Sequence, residues 1–140
     1  MDLQEEKCVM VIDEALPLGI IANTAAVLGI TLGHLRPEII GGDVADGSGS
    51  LHAGITAVPV PILRAGAGAV RALREALCRP EFRDVTVVDF SDVAQGCKVY
   101  GEYIEKMAAA PEDGLQYLGL ALCGPKKKVN RLTGSMPLLR

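Results

Sequence analysis

The chain alternates short apolar runs with longer stretches of helical period. Cys8-Val-Met-Val-Ile12 is continuous and apolar with charges on either side, the pattern of a strand buried on both faces. Pro17-Leu-Gly19 breaks the chain. Leu18 to Leu35 then reads as a helix rich in Ala, Ile and Leu, with only Asn23, Thr24, Thr31 and His34 as polar interruptions. A helix so apolar all round predicts burial on most sides. Arg36-Pro37 ends it, because the residue before proline avoids the helical region. Two runs, Glu38–Val44 and Leu51–Val58, flank Ala45-Asp-Gly-Ser-Gly-Ser50 and predict a hairpin. Pro59 and Pro61 stop its second strand or confine it to a sheet edge.

From Ile62 to Arg79 the apolar positions Val70, Leu73 and Leu77 recur at three and four, predicting a helix that Pro80 closes. Val85–Val88 is a second short buried strand ending at Asp89. Ser91 or Asp92 caps a further helix in which Val93, Cys97, Tyr100, Ile104 and Met107 recur at four and three up to Pro111. Leu115–Leu122 is the last strand. Pro125 opens a final helix and Gly134 closes it. This order predicts one α/β domain spanning residues 1–140. Its expected form is a three-layer α/β/α sandwich on a mixed sheet of about four to five strands.

A chain of 140 residues, 49% hydrophobic and 22% charged, buries one core. With three Tyr, two Phe and no Trp that core is aliphatic. A net charge of −3 argues against a protein built to grip nucleic acid. The one basic concentration, Lys126, Lys127 and Lys128 with Arg131 and Arg140, reads first as a solvated helix face, so nucleic acid stays open but not favoured. Cys8, Cys78, Cys97 and Cys123 are scattered without C-x-x-C spacing or neighbouring His, which predicts buried thiols and no metal site. The charged amino terminus lacks a signal-peptide core, and no apolar run approaches a membrane span. A cytoplasmic protein with no membrane partner is expected.

Gly66-Ala-Gly68 before a helix, with Asp89 closing the next strand, imitates a dinucleotide site. Arg71 stands where a third small residue belongs and Pro59 and Pro61 spoil the strand. No cofactor is therefore expected, and the glycines read as keeping the helix slim. Asp13, Glu14, Asp89 and Asp92 lie at the carboxyl ends of predicted strands, where open α/β sheets place ligands. They point either to acid–base or cation chemistry or to helix caps and turns. Asn23 and Thr24 could face a ligand near a helix start, or bond locally. His34 and His52 have no Ser or Cys at nucleophilic spacing. An open hairpin edge on an acidic, aromatic-poor chain suggests a homodimer.

Two segments carry a resemblance. Lys7–Leu28, and Leu118-Gly-Leu through Leu132-Thr-Gly134 with its Gly-Pro pair, resemble the first and last β-α units of the type II peptidyl-tRNA hydrolase fold. The chain resembles more closely a family of uncharacterised small proteins grouped with that fold. The resemblance implies Lys, Gln and His on the first helix and an Asp after a central strand. Aligned through Gly19, the helix positions fall on Ile20, Thr24 and Val27, and only Asp89 answers to the Asp. Aliphatic side chains cannot stabilise developing charge or move a proton. The expected function is therefore a binding or regulatory protein for a small polar ligand, held by Asp13, Asn23, Thr24, Ser91 and Asp92 around Asp89. The alternative is a hydrolase of peptidyl-tRNA or another ester with Asp89 as its catalytic base.

Overall fold

The first and last apolar runs of the chain lie side by side. The computed structural model describes residues 2–140. In it β1 (Glu6–Asp13) pairs antiparallel with β6 (Tyr117–Pro125), from Glu6 opposite Pro125 to Ile12 opposite Gly119. Between them in sequence come α1 (Leu18–Leu35), β2 (Val44–Ala45), β3 (Leu51–His52), β4 (Ile62–Ala65), α2 (Ala67–Ala76), β5 (Thr86–Ser91), α3 (Asp92–Gln95) and α4 (Tyr100–Ala109). A last helix, α5 (Lys126–Thr133), follows β6. β4 pairs parallel with β1, and β5 pairs antiparallel with β6, giving a four-stranded mixed sheet in the order β4-β1-β6-β5. Three strands thus run one way and only β6 opposes them.

Strand alternation sorts the core onto two faces. Val9, Val11, Leu120 and Leu122 face Val70, Leu73 and Leu77 from α2 and its end, and Val129 of α5. Cys8, Met10, Ala121 and Cys123 face Leu28 and Leu32 of α1. Truncating a buried leucine such as Leu28 or Leu120 to alanine costs about 2–5 kcal/mol in comparable cores. Register shifts at Phe90/Ser91, where Leu118 is an extra residue on β6. Gly119, next to it, admits α1 closely.

Several expectations need correction. Ile62–Ala65 was expected to begin a helix, yet pairing of Met10 to Asp13 with these residues makes it a strand and delays α2 to Ala67. The hairpin pairs Val44 with His52 and Ala45 with Leu51, with a further bridge between Ile40 and Thr56, apart from the main sheet. It is therefore not an edge of the main sheet. The β4 edge is instead met by the carboxyl-terminal tail: Arg64 N–H donates to Pro137 O at 2.9 Å and Leu139 N–H to Ile62 O at 2.9 Å. The long helix expected after Asp92 breaks between Gly96 and Val99 into α3 and α4.

α1 departs furthest from expectation. Its buried residues are Thr24, Leu28 and Leu32, a single inner stripe. Leu18 is 81% and Ile30 76% exposed. By length and composition α1 would suffice to cross a membrane, contrary to the expectation that no run is long enough. Gly66 and Gly68 were expected to let α2 pack closely, but a β-carbon at either would meet nothing within 4 Å.

Candidate functional site

β5 is the sheet edge opposite β4, and its alternation divides its side chains. Val88 and Phe90 join the α1 face. Asp89 turns toward α2, where Arg74 Nε lies 3.3 Å from its Oδ2; both side chains are roughly three-quarters covered, at 29% and 27% exposure. Arg74 also reaches Cys78 Sγ at 3.1 Å. Beyond β5 the chain turns through α3 and an irregular stretch, and α4 brings Tyr100 and Tyr103 into an edge-to-face pair with centroids 5.5 Å apart. Burial, and then the neighbouring Asp89 carboxylate, raise the Tyr103 phenol above its usual range.

Between this segment and α1 lies a cleft of about 520 Å³ along β5. Val27, Val88 and Phe90 give it apolar walls, while Thr31, Asp89, Lys98, Tyr100 and Tyr103 supply polar atoms. A mostly apolar cleft with a few polar groups is the usual composition of a small-molecule site. Larger clefts, of about 660 and 770 Å³, lie at the opposite end of the sheet around the start of β1. The β5 cleft takes precedence because it sits toward the carboxyl end of an edge strand that runs the same way as β1 and β4, though antiparallel to its neighbour β6, the end at which open α/β sheets bind ligands, and because it alone has the aromatic pair.

The residues expected to form one crevice do not converge. The sheet separates them. Asp13 and Ser91 occupy the α2 side by alternation, Asp89 lies on the edge strand where it meets both Arg74 of α2 and the cleft beside α1, and Asn23 and Thr24 sit on α1. Asp13 is 3% exposed and its Oδ1 accepts from Ala15 N–H at 3.0 Å, a turn cap. Ser91 is buried, with its Oγ 3.9 Å from Met107 Sδ. Asp92 Oδ1 accepts from Val93 N–H at 3.0 Å and Gln116 N–H at 3.1 Å, fastening the end of β5 to the approach of β6. Asn23 Nδ2 donates to Gln95 Oε1 at 3.2 Å. Thr24 is wholly buried and closed to any ligand. Of the expected set, Asp89 alone lines the cleft.

Sequence reasoning missed Thr31, Lys98, Tyr100 and Tyr103. The available signal is the tyrosine pair at spacing three in a chain with three Tyr, masked because Tyr100 also fits the helical stripe. The basic run is partly tied down: Lys128 Nζ donates to Asp84 Oδ1 at 2.8 Å and to Glu81 O at 2.7 Å. Among the described residues no three His, Cys, Asp or Glu side chains gather as a metal site.

Residues 6–140 match the family described as "Protein of unknown function (DUF2000)", and the chain belongs to that family. A solved structure of a protein of unknown function from Agrobacterium tumefaciens strain C58 is similar over 97% of this chain and 98% of its own, with a TM-score of 0.86 and 19% identity. At that identity the likeness is one of fold. No curated protein matches. Membership of an uncharacterised family is thus established, without any tie to peptidyl-tRNA hydrolases.

Proposed function

We propose that this protein binds a small polar ligand in the β5 cleft and does not hydrolyse it, on a scaffold of the type II peptidyl-tRNA hydrolase kind. The composition of the cleft carries the reading. Val27, Val88 and Phe90 offer hydrocarbon to the body of a ligand, and Lys98, Thr31 and the two tyrosine hydroxyls offer polar contacts to its substituents. Asp89 is the one residue retained from the expected set, held in place by Arg74.

Hydrolysis is the weaker reading for a physical reason. Ile20 packs with the α1-side core, Thr24 is buried and Val27 gives the cleft only methyl groups. None of the three can take the place of an ammonium, an amide or an imidazole in stabilising charge.

A cytoplasmic homodimer belongs to the same proposal, with its interface moved from the hairpin to the outer face of α1. That helix carries no Asp, Glu, Lys or Arg. Its exposed Ile30 continues through Gly33, whose β-carbon would meet Ile40 Cδ1 at 3.7 Å, to Ile55, whose carbonyl accepts from Gly41 N–H at 2.8 Å. An 18-residue helix is about 27 Å long. With the adjoining apolar arm it offers a patch on the order of the 800 Å² each partner gives a standard interface. A second copy is the natural cover, since one chain presents a continuous uncharged face that can meet itself about a two-fold axis.

Thermal-shift screening of small polar metabolites against wild type and Tyr103→Ala tests the ligand site. A compound that raises the melting temperature of wild type and leaves the variant unmoved supports it. Robust peptidyl-tRNA turnover by wild type that disappears in Asp89→Ala would defeat the non-hydrolytic reading.

A further inference from the structure

The two central strands bring together two cysteines that the sequence holds 115 residues apart. Cys8 stands directly opposite Cys123 in the β1–β6 ladder, and their sulfurs are 2.7 Å apart. Both thiols are free. Directly opposed residues of an antiparallel pair have Cα separations of about 4.5–5.5 Å, within the range of about 4.4–6.8 Å that a disulfide spans. The strands therefore already satisfy the backbone requirement for a bond.

We propose that Cys8 and Cys123 form a reversible redox site, oxidised by a small peroxide to a disulfide that joins the first strand of the chain to the last.

The surroundings suit that chemistry. Arg36 Nη1 donates to the Cys123 carbonyl at 3.2 Å, so a guanidinium lies beside this strand position. Donation from the Cys8 thiol, aided by the Arg36 charge, holds the Cys123 thiol below its usual range. The same hydrogen bond, with burial, raises Cys8. The Arg36 charge favours the ionised form of either sulfur, and the contact between the two lets one carry the charge while the other keeps its proton. Access is available from one end. Cys8 lines the cleft of about 770 Å³ at the start of β1, walled by Leu3, Lys7, Val58, Pro61 and Lys126. The cysteine pair is also only two positions in from the Glu6–Pro125 end of the ladder, where local opening costs least.

The atoms balance. The thiolate of the pair attacks one oxygen of hydrogen peroxide, the O–O bond breaks, and the departing hydroxide takes the proton that thiol gave up and leaves as water. The partner sulfur then displaces hydroxide from that sulfenic acid, and the hydroxide leaves with the partner thiol's proton as a second water. The two sulfurs lose two electrons to the peroxide, and a dithiol reverses the bond by exchange.

Intact-chain mass spectrometry tests the proposal. Wild type is treated with equimolar hydrogen peroxide, then unfolded and alkylated. The expected product has lost two hydrogens, leaves Cys8 and Cys123 unalkylated, yields a peptide linking them and reverts with dithiothreitol. A Cys78→Ser/Cys97→Ser variant, which keeps the pair and removes the other thiols, is expected to behave identically and to melt roughly 10 °C higher when oxidised, as closure of so long a loop implies. Alkylation of both Cys8 and Cys123 after peroxide treatment, or linkage only through Cys78 or Cys97, overturns the proposal. The wild-type readout decides the matter even where a Cys123→Ser control fails to fold.

Discussion

Thr24 of α1 rests directly on Gly119 of β6: a β-carbon on that glycine would stand 2.8 Å from the Thr24 methyl, and 3.2 Å from both Leu28 Cδ1 and the Val11 carbonyl oxygen. The last of these is backbone in the central strand and cannot swing away. Gly119→Ala is therefore expected to cost about 1–3 kcal/mol through overpacking, despite the better strand propensity of alanine. Urea denaturation of the two proteins measures it, and an unchanged midpoint would show that α1 can lift off the sheet freely.

The same threonine carries a second expectation. Its Oγ1 is buried without a hydrogen-bond partner. Replacing it by a methyl of similar shape, in Thr24→Val, removes a desolvated hydroxyl and is expected to stabilise the fold by about 1–3 kcal/mol. A fall in the melting temperature would mean that the hydroxyl finds a partner in solution.

Arg74 and Asp89 form a partly covered ion pair at the mouth of the cleft. A double-mutant cycle with Arg74→Met and Asp89→Asn is expected to give a coupling of about 1 kcal/mol, near the top of the range for surface pairs. Added salt should reduce it only modestly, because both groups are largely covered. Coupling indistinguishable from zero would leave Asp89 free for other work.

At the hairpin tip, a hydrogen bond from His52 and backbone donors at Ser48 and Ser50 hold the Asp46 carboxyl below its ordinary value of 3.8. Gly49 completes this tip at φ +85°, a conformation that disfavours side chains. A carboxyl depressed in the folded state contributes stability that is whole above its unfolded value and lost as pH falls through the folded one. Amide exchange at Ser48 and Ser50 should therefore accelerate selectively below pH 3.8, while the central sheet is still protected. Uniform acceleration across the molecule would contradict this.

Ile30→Glu places a charge in the middle of the uncharged α1 face. Light scattering at micromolar concentration should report a dimer for wild type and a monomer for the variant, with identical circular dichroism. A monomeric wild type removes the dimer. Co-sedimentation of wild type with lipid vesicles, lost in the variant, would assign the face to a bilayer instead.

The parts of this fold legible in the sequence are those where one local signal acts alone. β1 and α1 follow from an apolar run and a proline-bounded helical period, and Gly134 closes α5 as its position suggests. β4 was hidden because four residues between Pro61 and a glycine carry little periodicity, and partnership with β1 decides their state. The break between α3 and α4 was hidden by a helical stripe that continues through it. Burial of α1 is not legible in the sequence because composition says how apolar a helix is but not what covers it. The site was hardest to read. Strand-end carboxylates look alike in sequence, and only the sheet decides that Asp13 caps a turn, Asp92 fastens a strand and Asp89 meets the cleft.

Placing β6 between β1 and β5 has a consequence for the nascent chain. β1 leaves the ribosome well before β6, with both sides apolar, and this inner neighbour is more than a hundred residues away in sequence. At about 5–20 residues per second, that neighbour arrives on the order of ten seconds later. Until then the sheet has no middle. Cooperative folding therefore waits for β6 to emerge, so the emerging polypeptide is a natural client for holding chaperones, and truncations that remove β6 should yield aggregates in place of a smaller domain.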